Sequence, residues 1–167
     1  GYYIASWLAE TIGGEGNVVI MEGIPGASAS DSQHAGMLKG FAEYPDITVV
    51  AEIAHMWTPQ IAQAELQKWL SANTTEVHGF AVQSSGESGA LNALESSGRP
   101  MVPMALGGEI GAFCYWRNNP DFIDRAVYAW PPGDDAEFAM NVLLKTMKGQ
   151  GLKMQSILVP PYEEDVE

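Results

Sequence analysis

One unit near the start of the chain recurs along its length and limits what the chain can fold into. Asn17-Val18-Val19-Ile20-Met21-Glu22-Gly23 is an apolar run of strand length, bounded by glycine. Ile24-Pro25-Gly26-Ala27-Ser28-Ala29-Ser30 follows as a loop of small residues, and helical spacing begins near Asp31. Small residues after a strand let backbone or ligand approach closely. Open α/β sheets bind ligands at the carboxyl ends of their strands. The first strand therefore already points to a ligand site.

The same rhythm predicts helices over 2–12, 31–44, 59–72, 87–96, 110–118 and 134–148. It predicts strands over 17–22, 47–52, 77–82, 101–106 and 126–130, with a short strand over 156–159 in the tail. Punctuation supports the boundaries: Gly13-Gly14, Gly98 and Gly149 stop helices, and Pro45 disfavours helix just before it. Thr58-Pro59 opens a helix with a cap and a proline at its first position. Strands alternating with helices imply right-handed crossovers and a mainly parallel sheet. The expected fold is α/β, a three-layer αβα sandwich.

Composition then removes function classes. The 167 residues suffice for one core, and no segment is long and apolar enough to span a membrane as a helix. The 21 acidic residues against eight basic ones leave a net charge of −13, which argues against a nucleic-acid face. Cys114 is the sole cysteine, so neither an internal disulfide nor a cysteine metal site can form. His34, His55 and His78 lack metal-ligand spacing. No metal and no cofactor is expected.

The candidate chemistry lies at strand ends. Gly23-Ile-Pro-Gly26 is not a dinucleotide fingerprint, and no phosphate-loop Lys-Ser/Thr follows it. Ser28, Asp31 and His34 invite a hydrolase reading, but the Gly-x-Ser-x-Gly elbow is missing. Ser30 or Asp31 is read instead as the cap of helix 31–44, with His34 on its surface. Trp57 stands between a strand and a capped helix, and Trp130 closes the fifth strand before Pro131-Pro132-Gly133. Gln83-Ser84-Ser85-Gly86-Glu87 follows the third strand and Gly107-Gly108-Glu109 the fourth, each also readable as a turn with a helpful first-turn acid. Aromatic faces beside mostly uncharged hydrogen-bonding groups suit a neutral polyhydroxylated ligand.

These segments resemble the sugar-type periplasmic binding proteins of ABC transporters, the ribose-binding-like type I family. The resemblance rests on Gly-Ile-Pro-Gly-Ala-Ser-Ala-Ser after the first strand and on Gln33-His34-Ala35-Gly36-Met37, where the family usually has Arg-x-x-Gly-Phe. It continues through Tyr44-Pro45-Asp46-Ile47-Thr48-Val49-Val50, Trp57, and the run from Gly89 to Arg99. It covers nearly the whole chain. The resemblance implies ligand-binding roles for Ser28, Gln33, Trp57, Gln83, Ser84, Gly108, Glu109 and Trp130. Gln33 replaces the family's arginine, Ser84-Ser85 its Asn-Asp pair with one residue fewer, and Gly108 or Glu109 its aspartate.

The family has two lobes. Matched to that layout, residues 1–131 are the second lobe, helix 132–149 belongs to the first, and 150–167 returns to the second. Nearly all of the first lobe would precede Gly1, making the chain a fragment with half a cleft. The implied protein is not an enzyme. It is an extracytoplasmic solute-binding component, present in the periplasm, that delivers a small neutral ligand such as a sugar or polyol to a membrane permease. The alternative is a ligand-sensing effector domain of a repressor or receptor, and a small α/β enzyme is the weaker rival. The apolar face of helix 134–148, left without its lobe, is expected to make a homodimer or dock elsewhere.

Overall fold

The computed structural model describes residues 1–106, 108–119, 126–128 and 132–150. Along the chain run α1 (Tyr2–Thr11), β1 (Glu15–Glu22), α2 (Ser28–Phe41), β2 (Asp46–Ala54), α3 (Pro59–Ala72) and β3 (Gly79–Val82). There follow α4 (Glu87–Ser97), β4 (Met104–Leu106), α5 (Ile110–Asn118), β5 (Ala126–Tyr128) and α6 (Pro132–Met147). The five strands form one parallel sheet in the order β2-β1-β3-β4-β5.

The period of two in a strand sends neighbouring side chains to opposite faces. Val18 and Ile20 of β1 join Ala81 and Ala105 under Ile4, Ala5 and Leu8 of α1 and Met37 and Phe41 of α2. Val19 and Met21 join Phe80, Val82, Met104 and Leu106 under α3, α4 and Ala112 of α5. Helices therefore cover both faces, as the expected αβα sandwich requires. Every residue of β3 is buried, as befits an inner strand of a parallel sheet.

Local chemistry moved several boundaries. The α2 helix begins at Ser28 and not at Asp31, because Ala27, in extended conformation, takes the N-cap position. Asp31 is a first-turn residue whose Oδ1 accepts the Gly26 N–H at 2.8 Å, and Ser30 is buried. Neither is the cap. Thr58 does hold the N-cap position of α3, with Pro59 at the first helical position, but its hydroxyl donates to the Met56 carbonyl and makes no cap bond. β4 begins at Met104, three residues later than expected, and Pro103 just before it has no N–H for the ladder, though its carbonyl accepts from Phe80. The expected strand at 156–159 lies outside the described residues.

Candidate functional site

The parallel sheet gathers the loops after β1, β2, β3 and β4 along one edge, and a chain of contacts links them in strand order. Trp57, after β2, lies with its indole over Gly23, after β1. A Cβ on Gly23 would come within 2.1 Å of Trp57 Nε1, so only glycine leaves room for the ring. The Gly23 N–H donates to Gln83 Oε1, after β3, at 2.9 Å. Ser84 then donates its hydroxyl to the Gly108 carbonyl, after β4, at 3.0 Å.

Within this edge the expected residues fall into different positions. Trp57 is half-buried and Ser28 exposed at the start of α2. Ser84, Gly108 and Glu109 are half-buried at the rim. Glu109 accepts the Ser88 N–H at 3.0 Å and the Ser88 hydroxyl at 2.5 Å. Gln83 is fully buried. Its Oε1 also accepts the Ser30 hydroxyl at 3.1 Å and its Nε2 donates to the Ser30 carbonyl at 3.0 Å, so this amide pins α2 to the sheet. Gln33 lies in the second turn of α2, half-buried, with its backbone carbonyl against Gly1. It belongs to the seam between α1 and α2 more than to the loop cluster. Trp130 lies outside the described residues.

His34 is not a plain surface residue. Its Nε2 stands 3.1 Å from Glu52 and its Nδ1 3.9 Å from Glu22.

Sequence reading missed what holds this edge together. Glu87, read as a helpful acid in the first turn of α4, is fully buried. Its Oε2 accepts the Gly86 N–H at 2.9 Å and its Oε1 the Gly108 N–H at 2.5 Å. Burial, aided by the neighbouring Glu109, pushes its pKa up to about 7. His55 is also fully buried, its ring pressed on Gly86. Burial pushes His55 down to about 4, against the pull of the nearby Gln83 carbonyl, so the imidazole is neutral at pH 7. The one available signal was position: both groups follow strands, and of the two Glu87 is hydrogen-bonded while both ring nitrogens of His55 lack a partner.

All three non-glycine residues with positive φ among the described residues lie here: Met56 at 53°, Trp57 at 50° and Ser85 at 68°. Such conformations cost energy and gather where structure serves a ligand. A cavity of about 560 Å³ reaches this edge at Ala54 and Met56 and runs along α3 to Trp69 and Asn73, and another of about 450 Å³ lies around Arg99 and His78. No group of metal-ligating side chains occurs among the described residues.

The carboxyl edge of this parallel αβα layer, a Rossmann-like arrangement, thus carries an aromatic ring and mostly neutral polar groups. The chain belongs to the periplasmic binding protein domain family, whose model matches residues 1–151. It is 34% identical over 98 residues to the xylitol-binding protein of Mycolicibacterium smegmatis, a stretch covering 58% of this chain and 28% of that protein. An ABC transporter periplasmic solute binding protein from Actinobacillus succinogenes, with bound D-allose, matches with a TM-score of 0.83 at 30% identity, over 99% of this chain and 57% of that one. An ABC transporter solute binding protein from Thermobispora bispora matches with a TM-score of 0.74 at 27% identity, over 90% of this chain and 46% of that one. The chain spans little more than half the length of these relatives at most. No described helix is long and apolar enough to cross a membrane.

Proposed function

We propose that this chain is the second lobe of a two-lobe binding protein for a sugar or polyol, serving an ABC importer outside the cytoplasmic membrane. The observation that carries the reading is the linked carboxyl edge, with the Trp57 ring seated over Gly23, Ser28 opening α2 after β1, and Ser84, Gly108 and Glu109 after β3 and β4. An aromatic face stacks on a sugar's C–H surface while hydroxyl, backbone and carboxylate groups meet its hydroxyls. Gln83 supports this wall from below through Gly23 and Ser30. Gln33, at the α1 side, and Trp130 belong to the same proposal. The relatives named for xylitol and seen with D-allose support the ligand class. The lobe boundaries are residues 1–131, a helix of the first lobe over 132–149, and a return over 150–167. The permease is the partner of the whole protein, and hinge closure around the ligand is the signal it reads.

Calorimetry with D-allose and xylitol tests the reading. In the intact two-lobe protein, Trp57→Ala weakens sugar binding by about 1–3 kcal/mol, as expected for loss of a stacked aromatic. An unchanged affinity returns Trp57 to a packing role. The isolated chain binds weakly, because one open wall cannot bury most of a small ligand. Micromolar binding by the chain alone overturns the two-lobe assignment.

A further inference from the structure

Glu87 ties together two loops of the wall with one side chain. Oε2 holds the loop after β3 through Gly86, and Oε1 holds the loop after β4 through Gly108. Glu109, the next residue, is near enough to act on the same carboxyl electrostatically. Glu109 in turn is anchored on Ser88, the residue after Glu87. We propose that Glu87 is a positioning residue of the ligand wall, fixing Gly108 and orienting Glu109 through one proton shared between the two carboxyl groups. The inference rests on reading this edge as the ligand wall, and Glu87 itself touches no ligand.

The chemistry follows from burial. Two carboxyl groups this close in a buried setting resist being ionised together. With one proton between them, the Glu87–Glu109 contact becomes a hydrogen bond, and the remaining lone pairs still accept both N–H groups. Glu87 releases its proton near pH 7, pushed up first by burial and then by Glu109. Ionised Glu87 meets the Coulombic repulsion of its neighbour, and the contact between the two side chains weakens. Glu109 faces Glu87 from the loop after β4, and His55, neutral, lies nearby on Gly86 from the loop after β2. The first turn of α5 carries no acid, and α3, packed on α4, opens with the uncharged Pro59-Gln60-Ile61-Ala62-Gln63.

Nuclear magnetic resonance of the isotopically labelled full chain between pH 5.5 and 8.5 tests this. The Glu87 side-chain carboxyl carbon and the amides of Gly86, Ser88 and Gly108 should move together, with a midpoint near 7. In Glu87→Gln the amide titration disappears, and in Glu109→Gln the Glu87 midpoint moves to lower pH. A Glu87 midpoint in the ordinary carboxylate range overturns the proposal, and needs no variant to fold. An amide titration that survives Glu87→Gln overturns it as well. D-Allose or xylitol added at high millimolar concentration should shift the Gly108 amide, with apparent affinity falling several-fold from pH 6 to pH 8. A preserved Glu87 midpoint with no sugar response sinks the ligand reading alone. A sugar response without a Glu87-dependent midpoint sinks this proposal alone.

Discussion

Gln83 and Ser84 are neighbours in sequence and both follow β3, yet one is wholly buried and the other reaches the rim. The sequence carried the position of Trp57, Ser84 and Glu109 at strand ends, because a parallel sheet collects its carboxyl ends on one edge. It did not carry their depth. A glutamine after a strand reads the same whether it faces ligand or reaches sideways to Ser30 and Gly23, which are 53 and 60 residues away. The difference has an energetic consequence. Gln83→Leu strands a buried Gly23 N–H and the Ser30 groups, and should cost about 2–4 kcal/mol, read from the urea unfolding midpoint. Glu87 and His55 act on stability in opposite pH directions. Glu87 has its folded pKa raised to about 7, so its contribution is full below the ordinary value of 4.5 and is lost as pH rises through 7. His55 is depressed to about 4, so its contribution is full above the ordinary 6.5 and is lost as pH falls through 4. Glu87→Gln should therefore gain on the native chain in urea as pH goes from 5 to 8. A constant gap between the two midpoints would refute the assignment.

At the scale of elements, periodicity placed every described helix and strand, and the misplacements came from single residues acting through three dimensions. Pro103 stands at the head of a shortened β4, and Ala27 opened α2 early because Asp31 reaches back to Gly26. The helices approach one another closely where glycine permits it. A Cβ on Gly89 of α4 would lie 1.9 Å from the Pro59 carbonyl of α3, and one on Gly40 of α2 would lie 2.8 Å from the Ala5 Cβ of α1. In the first case the obstacle is backbone, which cannot swing aside like a side chain. Gly89→Ala must separate α3 from α4 and should cost about 1–3 kcal/mol or more, with a matching fall in Tm by circular dichroism. Gly98→Ala is a useful contrast: φ is +71° there and nothing lies within 4 Å, so its penalty arises from backbone conformation alone.

For the whole molecule, the sequence pattern of α6 foretold a wide apolar face, and Met140, Leu143, Leu144 and Met147 are 55%, 52%, 45% and 76% exposed. Each such side chain left in water forgoes about 1.5–3 kcal/mol of burial. Light scattering should accordingly give a molar mass above the 18.0 kDa monomer at high concentration, and Leu143→Glu should restore the monomer. A concentrated monomer with α6 in water would contradict this. The strand order also sets when the fold can close during synthesis. β1 pairs with β2, which is made next, but its other neighbour, β3, starts only at Gly79. Until then the growing chain holds Val18-Val19-Ile20-Met21 with one ladder unmade, an apolar template open to any passing strand. A stalled or truncated product ending before Gly79 would thus be a hazard to its neighbours, whereas one that includes Val82 holds the residues that complete the second ladder of β1.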